Sequence, residues 1–80
     1  MKLAMLSNAK LTIGAKQTSK AIKRGEVKMV YLANDSDDRI ALPLLELCDE
    51  FQITVDKSFS MTELGVAAHI KVGAAAVGVL

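Results

Sequence analysis

The sequence predicts an α/β fold in which helices cover both faces of a small, four-stranded sheet. Helical and strand patterns alternate along the chain with short connections, as α-β-α-β-α-β-α-β, which favours a mostly parallel or mixed sheet. The chain has 80 residues, enough for a single domain over residues 1–80 with one small core. Its composition is 51% apolar and 24% charged, which is typical of a globular rather than a disordered chain.

The first half of the chain contains two predicted helices and two predicted strands. A short helix over residues 3–9 precedes a very short strand over residues 11–13. The second helix spans residues 16–24, and Gly25 is well placed to end it. Its inward-facing residues are Ala15, Thr18, Ala21 and Ile22. Residues 29–33 form a continuous β-prone run, as expected for a central strand covered on both faces.

The third predicted helix spans about residues 39–51, after a loop over residues 34–38 that is rich in capping residues. Pro43 fits this helix only if it lies in the first turn, where its missing N–H has no partner. A short strand follows over residues 53–56. The residues predicted to face inward from this helix are Ile40, Leu44, Leu47, Cys48 and Phe51.

The last predicted helix begins with a capping box, in which Ser60 is the N-cap and Glu63 follows three residues later. This helix continues to about residue 68 and has a small-residue face for close packing, made by Gly65, Ala67 and Ala68. A wholly apolar strand over residues 74–80 ends the chain.

Charge is segregated along the chain although the net charge is only +1. Residues 1–28 hold seven cations and one anion, whereas residues 32–63 hold two cations and eight anions. A basic part of this kind attracts RNA, and an acidic part limits indiscriminate binding. No apolar run reaches the roughly 18 residues needed to span a bilayer. The single cysteine, Cys48, excludes an internal disulfide, so we expect a cytoplasmic protein without membrane partners.

The most informative segment is the helix that follows Gly14, because its exposed face carries Lys16, Lys20, Lys23 and Arg24. A helix start after a glycine offers unpaired N–H groups and a positive dipole end to an anion. The dipole alone disfavours lysines there, which indicates contact with an anion such as a phosphate backbone. An ordinary solvated helix face is the alternative. The spacing does not fit a P-loop.

The second informative segment comprises residues 69–73, where Ile70 and Val72 alternate with Lys71 just before a buried strand. An exposed apolar ridge of this kind can pack on an extruded RNA base. The alternative is that Ile70 and Val72 simply begin the strand.

Catalytic and metal-binding sites are not predicted. The chain has one histidine, His69, and no recognisable nucleophile motif. His69 is interpreted as a partner of the helix dipole at a helix end, and Cys48 as a packing residue. The three acids Asp35, Asp37 and Asp38 are read as solvated capping residues rather than metal ligands. We therefore expect a non-enzymatic protein with no cofactor.

Three segments together resemble the ribosomal protein L7Ae/L30e superfamily, in particular its bacterial YbxF-type branch. They are IGAKQTSKAIKRG at residues 13–25, AND at residues 33–35 and LGVAAHIKVGAAAV at residues 64–77. The resemblance implies a three-layer α/β/α sandwich with a four-stranded sheet. It also implies binding to kink-turns, which are RNA duplexes bent sharply at a short bulge and followed by tandem sheared G·A pairs.

The resemblance assigns RNA contacts to three groups of residues. The family's Gly-Asn-Glu-x-x-Lys element, which enters the major groove at the G·A pairs, falls on Gly14, Ala15, Lys16, Gln17 and Lys20. The family's acidic residue after the second strand falls on Asp35. Its apolar loop over the bulged nucleotides falls on Ile70, Lys71 and Val72. Peripheral phosphate contacts are then expected from Lys10, Lys23, Arg24 and Lys28.

The sequence departs from the archaeal pattern where Lys16 replaces asparagine and Gln17 replaces glutamate. A carboxylate accepts from both the N1–H and the N2–H₂ groups of guanine through charge-assisted bonds. Gln17 offers one neutral carbonyl acceptor, so we expect less base discrimination there. Lys16 can compensate by contacting guanine O6 and N7 or a phosphate.

Two hypotheses follow. The first is a monomeric RNA-binding protein that recognises and stabilises kink-turn RNA, with ribosomal RNA or a riboswitch among the possible targets. The alternative is a ribosome-associated protein-interaction module on the same fold, with weak or no kink-turn binding.

Overall fold

The computed structural model of the protein describes residues 10–80. The helix predicted over residues 3–9 lies outside the described residues. Every other predicted element is present, with ends that match those predicted or differ by one or two residues. The elements are β1 (Leu11–Ile13), α1 (Ala15–Lys23), β2 (Met29–Leu32), α2 (Asp38–Glu50), β3 (Thr54–Asp56), α3 (Met61–Ala67) and β4 (Ala76–Val79).

The four strands form one mixed sheet in the order β1-β4-β2-β3. Strand β4 is antiparallel to both of its neighbours, and β2 and β3 are parallel, joined through α2. In this register Ile13 pairs with Val77, and Leu32 pairs with Ala76. The ends of β1 and β2 and the start of β4 therefore lie together. We call this end of the sheet the entry end.

Helices lie on both faces of the sheet, which confirms the predicted α/β/α sandwich. Val30 and Leu32 of β2 pack in a core cluster with residues of α1 and α2, whereas Tyr31 and Ala33 pack in a second cluster with residues of α3. This alternation follows from the two-residue period of a strand, which points successive side chains to opposite faces. Within residues 10–80, no helix is long and apolar enough to cross a membrane.

Two predictions about α2 are wrong. Ile40 and Phe51 were expected to face inward, but they are 41% and 42% exposed, and the buried residues are Ala41, Leu44 and Cys48. The buried face of α2 is formed by residues 41, 44 and 48. Ile40 precedes Ala41 by one residue, which rotates its side chain by about 100° around the helix axis. Pro43 is the sixth residue of α2, beyond the first turn, because Asp37 caps the helix and Asp38 begins it. Pro43 is exposed, so its ring lies on the solvent side of the helix and not against the sheet.

Each of the three described helices ends in a Schellman motif, with one residue in the left-handed conformation. After α1 this residue is Gly25, as predicted, with φ 73°. After α2 and α3 it is Gln52 (φ 56°) and His69 (φ 61°). Each motif has the two backbone hydrogen bonds that define it. After α3, for example, the His69 N–H donates to the Val66 carbonyl at 3.1 Å, and the Ile70 N–H donates to the Gly65 carbonyl at 3.0 Å.

Candidate nucleic-acid interface

The start of α1 has no side-chain cap, which leaves its first N–H groups open to a ligand. Gly14 adopts φ 93°, which favours glycine, and its N–H donates to the Ala76 carbonyl at 2.8 Å. No side chain caps the helix, and its first turn contains no acid. The first N–H groups of a helix have no partner within the helix, so those of Ala15, Lys16 and Gln17 remain available to a ligand.

The cations around α1 are exposed and carry little internal pairing. Within the described part of the chain, Arg24 is the only basic residue of α1 or its cap in an ion pair, 3.9 Å from Glu26. Both side chains of that pair are more than half exposed (68% and 53%), so water screens it strongly. The ammonium groups of Lys16 and Lys20 are therefore free to contact an anion beside the open helix start.

A pair of threonines holds α1 against the sheet. The Thr12 and Thr18 hydroxyl oxygens are 3.0 Å apart, and Thr18 is fully buried. Gly78 of β4 lies beneath them, where an added Cβ would come within 2.5 Å of the Thr12 hydroxyl and 3.1 Å of Thr18 Cγ2. The contact fixes the first turns of α1 relative to β1 and β4. The predicted inward position of Thr18 is confirmed, whereas its bond to Thr12 was not predicted.

Residues 70–72 form a loop rather than the start of the last strand. Strand β4 begins at Ala76, so the alternative in which Ile70 and Val72 begin that strand is wrong. Val72 is 71% exposed and Lys71 is also exposed, whereas Ile70 is half-buried against the core cluster under α3. We call residues 70–72 the apolar loop. Its side chains can thus face a ligand while Ile70 anchors it to the protein.

The apolar loop folds back along α3. The Val72 carbonyl oxygen occupies the place that a Cβ of Gly65 would take. At the far end of the loop, Gly73 packs on Met61, and the Ala74 N–H donates to the Met61 carbonyl at 3.1 Å. The small-residue face predicted for this helix is therefore confirmed at Gly65, where the partner is the loop backbone.

Asp35 ties the β2–α2 loop to α3. Its Oδ1 accepts a hydrogen bond from the Met61 N–H at 2.9 Å, across 26 residues of sequence. The Asn34 N–H also donates to the Phe59 carbonyl at 2.9 Å. Asp35 is exposed and lies at the entry end, where a ligand can reach it. Its structural tie to α3 was missed at the sequence level because the two partners are far apart in the chain.

The structure brings most of the predicted site residues to the entry end. The Gly14 N–H bonds to Ala76, and the Ala33 N–H, two residues before Asp35, bonds to Ala75 at 2.8 Å. The start of α1 and the loop that carries Asp35 therefore meet at residues 75–76, and the apolar loop leads into this segment through Gly73 and Ala74. Arg24 is not part of this group. It lies at the other end of α1, about 13 Å along a nine-residue helix.

Burial and hydrogen bonding shift the pKa values of several described side chains. Burial raises the pKa of the Cys48 thiol, which agrees with its interpretation as a packing residue. The pKa of Tyr31 is raised mainly by burial and to a smaller extent by the nearby Asp56 carboxylate. Hydrogen bonds from Arg39 lower the pKa of Asp37, the N-cap of α2. Among residues 10–80, no three acidic, histidine or cysteine side chains are grouped as a metal site.

Comparison with known proteins identifies relatives over the whole chain. The profile of the ribosomal protein L7Ae/L30e/S12e/Gadd45 family matches residues 1–80. The RNA-binding protein YbxF of Geobacillus stearothermophilus is 42% identical over 76 residues, which cover 95% of this chain and 93% of that protein. These names describe ribosomal and RNA-binding proteins, and neither denotes an enzyme class.

Two solved structures share the fold. A protein of unknown function from Bacillus halodurans superposes with a TM-score of 0.89 and 30% identity, covering 96% of this chain and 81% of the other. A 15.5 kD RNA-binding protein of Giardia lamblia superposes with a TM-score of 0.82 and 27% identity, covering 96% of this chain and 63% of the other.

Proposed function

Since the chain belongs to the ribosomal protein L7Ae/L30e/S12e/Gadd45 family, we propose that it is a non-enzymatic RNA-binding protein that recognises and stabilises kink-turns. The relatives from Geobacillus stearothermophilus and Giardia lamblia are both named RNA-binding proteins, which supports RNA as the partner. As part of the same proposal, the protein acts as a cytoplasmic monomer on ribosomal RNA or a riboswitch.

The observation that carries this proposal is the meeting of two complementary surfaces at the entry end. The start of α1 offers uncapped N–H groups beside Lys16 and Lys20, which suits phosphates and base edges. The apolar loop offers the exposed Val72 side chain, which suits an unstacked base. A kink-turn presents both features together, because its bulged bases lie directly beside its G·A pairs.

Each group of residues has a distinct role in this proposal. The backbone N–H groups of Ala15, Lys16 and Gln17 and the Lys20 ammonium hold the G·A region, whereas the Gly14 N–H is already bonded to the Ala76 carbonyl. The Gln17 side chain accepts one hydrogen bond from guanine, and Lys16 adds a charge-assisted contact to O6, N7 or a phosphate. Ile70 and Val72 cover the bulged bases. Outer phosphates are held by exposed cations, namely Lys10, Lys23, Arg24, Lys28 and Lys71.

Binding stabilises the bent RNA through differential affinity. A kink-turn sequence exchanges between a bent and an extended form, and a protein that contacts only the bent form shifts the population towards it. The bent form alone brings the G·A groove and the bulged bases within reach of both protein surfaces at once. The protein therefore acts as a stabiliser of RNA structure and requires no chemical step.

A comparison of two RNAs tests the proposal. Fluorescently labelled kink-turn RNA and a straight duplex of the same length and charge are titrated with the protein at one salt concentration. We expect tighter binding of the kink-turn, together with a fluorescence-transfer change that reports bending. Equal affinity for the two RNAs, which indicates phosphate attraction alone, would refute the proposal.

The exposed surface of α2 favours a second candidate function, as a ribosome-associated protein-interaction module. Leu42 is 55% exposed on this helix, and Phe51 is 42% exposed at its end. Three exposed acids, Glu46, Asp49 and Glu50, lie on the same helix. The exposed apolar residues suit contact with a protein partner, and apolar contact, unlike an ion pair, is not screened by salt. Co-sedimentation with ribosomes that persists at high salt, without kink-turn preference, would favour this candidate, because phosphate-driven binding falls steeply with salt.

A further inference from the structure

We propose that Gly65 is a positioning residue for RNA binding, because it leaves a slot in α3 that sets the place of the apolar loop. This inference rests on the proposed function, since it concerns how the same surface meets RNA. Gly65 does not contact the RNA in this proposal. It acts through the Val72 backbone, which lies in the slot.

The contact between Gly65 and the loop involves only backbone atoms. An added Cβ at Gly65 would overlap the Val72 carbonyl oxygen and would lie 3.1 Å from the Val72 carbonyl carbon and 3.2 Å from Gly73 Cα. No change of side-chain rotamer can relieve such an overlap. Any larger residue at position 65 must therefore move the loop away from α3.

The helix itself gives no reason for a glycine at this position. Gly65 is the fifth of seven residues in α3, and its φ is not positive. Glycine in a helix interior is less favourable than alanine, because it loses more conformational freedom on folding. Its local cost is offset by the close approach of the loop, which only glycine permits.

The loop is held at both ends, so a push at Gly65 acts on its middle. The Ile70 N–H donates to the Gly65 carbonyl at 3.0 Å, and the Ala74 N–H donates to the Met61 carbonyl at 3.1 Å. Val72 lies between these two bonds, and its side chain is 71% exposed. The position of its carbonyl in the slot therefore sets how far its side chain projects from the protein surface. That projection determines whether Val72 contacts a bulged base while the start of α1 holds the G·A pairs.

The test compares Gly65→Ala with Val66→Ala, a neighbouring change to alanine in the same helix. Val66 is 71% exposed, and its replacement also raises helix propensity without entering the slot. For Gly65→Ala we expect a loss of kink-turn affinity of about tenfold or more, by loss of a base contact. Affinity for a straight duplex should stay unchanged, because Lys16 and Lys20 are untouched. Val66→Ala should bind both RNAs as the unmodified chain does.

Backbone amide chemical shifts and a second variant make the outcome decisive. Amide shifts should change at residues 70–72 in Gly65→Ala. If that variant does not fold, Gly73→Ala replaces it, since a Cβ at Gly73 lies 3.1 Å from Met61 Cβ and pushes the same loop more gently. A loss of kink-turn affinity of roughly two- to fivefold is then expected.

Three results would overturn the inference. They are unchanged kink-turn affinity in a folded variant, amide shifts that do not change at residues 70–72, and an equal loss of affinity for both RNAs, which indicates general damage. Failure of the proposed function is distinct, because it appears in the unmodified chain as equal affinity for the two RNAs. In that case the amide shifts still report whether Gly65 sets the loop position.

Discussion

Replacement of Gln52 by glycine should stabilise the protein. Gln52 follows α2 as the left-handed residue of its Schellman motif, with φ 56°, and its N–H donates to the Asp49 carbonyl at 3.1 Å. The side chain is exposed. The equivalent position after α1 is already occupied by Gly25, at φ 73°. Glycine at position 52 would keep the backbone bonds and remove the crowding of Cβ against the carbonyl oxygen.

The magnitude follows from two opposing terms. The left-handed conformation costs a residue other than glycine about 1–2 kcal/mol. Glycine has more freedom to lose from the unfolded chain, which costs about 0.5–1 kcal/mol. The net gain for Gln52→Gly is therefore about 0.5–1 kcal/mol in the free energy of unfolding. For a domain of this size that raises Tm by about 2–8 °C.

Thermal unfolding followed by circular dichroism measures this effect, with Gln52→Ala as the matched control. The alanine variant removes the same polar side chain but keeps the Cβ, so its Tm should stay close to that of the unmodified chain. Position 52 lies outside the entry end, so neither variant should change RNA affinity. An unchanged or lower Tm for Gln52→Gly, or an equal rise in both variants, would refute the reasoning about the left-handed backbone.

Three further predictions concern the site and the helix caps. Lys20→Ala should weaken kink-turn binding by about 1–3 kcal/mol if it contacts a base edge, whereas Lys57→Ala should not; titration of labelled RNA measures both. Ser60→Ala should lower the free energy of unfolding by about 0.5–2 kcal/mol in urea titrations, because it removes the 3.2 Å bond to the Glu63 N–H. The pKa of Asp37 is held below 3.8 by the bonds from Arg39, so its stabilisation is present above that pH and is lost as pH falls through the lowered value. Asp37→Asn lacks the titrating carboxylate, so in an acid-unfolding titration it should lose less stability than the unmodified chain once the pH falls below 3.8. A parallel loss in both would contradict this assignment.

Local signals in the sequence predicted most of the elements because those signals act within a few residues. The capping box of Ser60 and Glu63 spans three residues, and both of its hydrogen bonds form. Gly25 ends α1 as predicted, since the left-handed turn there is a local requirement. By contrast, the inward face of α2 was misassigned at Ile40 and Phe51. A shift of one residue turns a helix face by about 100°, and only the packing of α2 against the sheet selects Ala41, Leu44 and Cys48.

The features of the candidate site also fall into those that local sequence predicts and those that depend on the fold. The sequence by itself determined the open glycine turn, the cations of α1 and the apolar character of residues 70–72, because composition and short spacing carry those features. Only the tertiary structure decided that these segments meet, through the antiparallel pairing of β4 with both β1 and β2. It also decided that Asp35 holds α3 and that the Val72 carbonyl lies against Gly65. The partners in these contacts are 7 to 68 residues apart, and no local propensity specifies which distant backbone atom will occupy a given space.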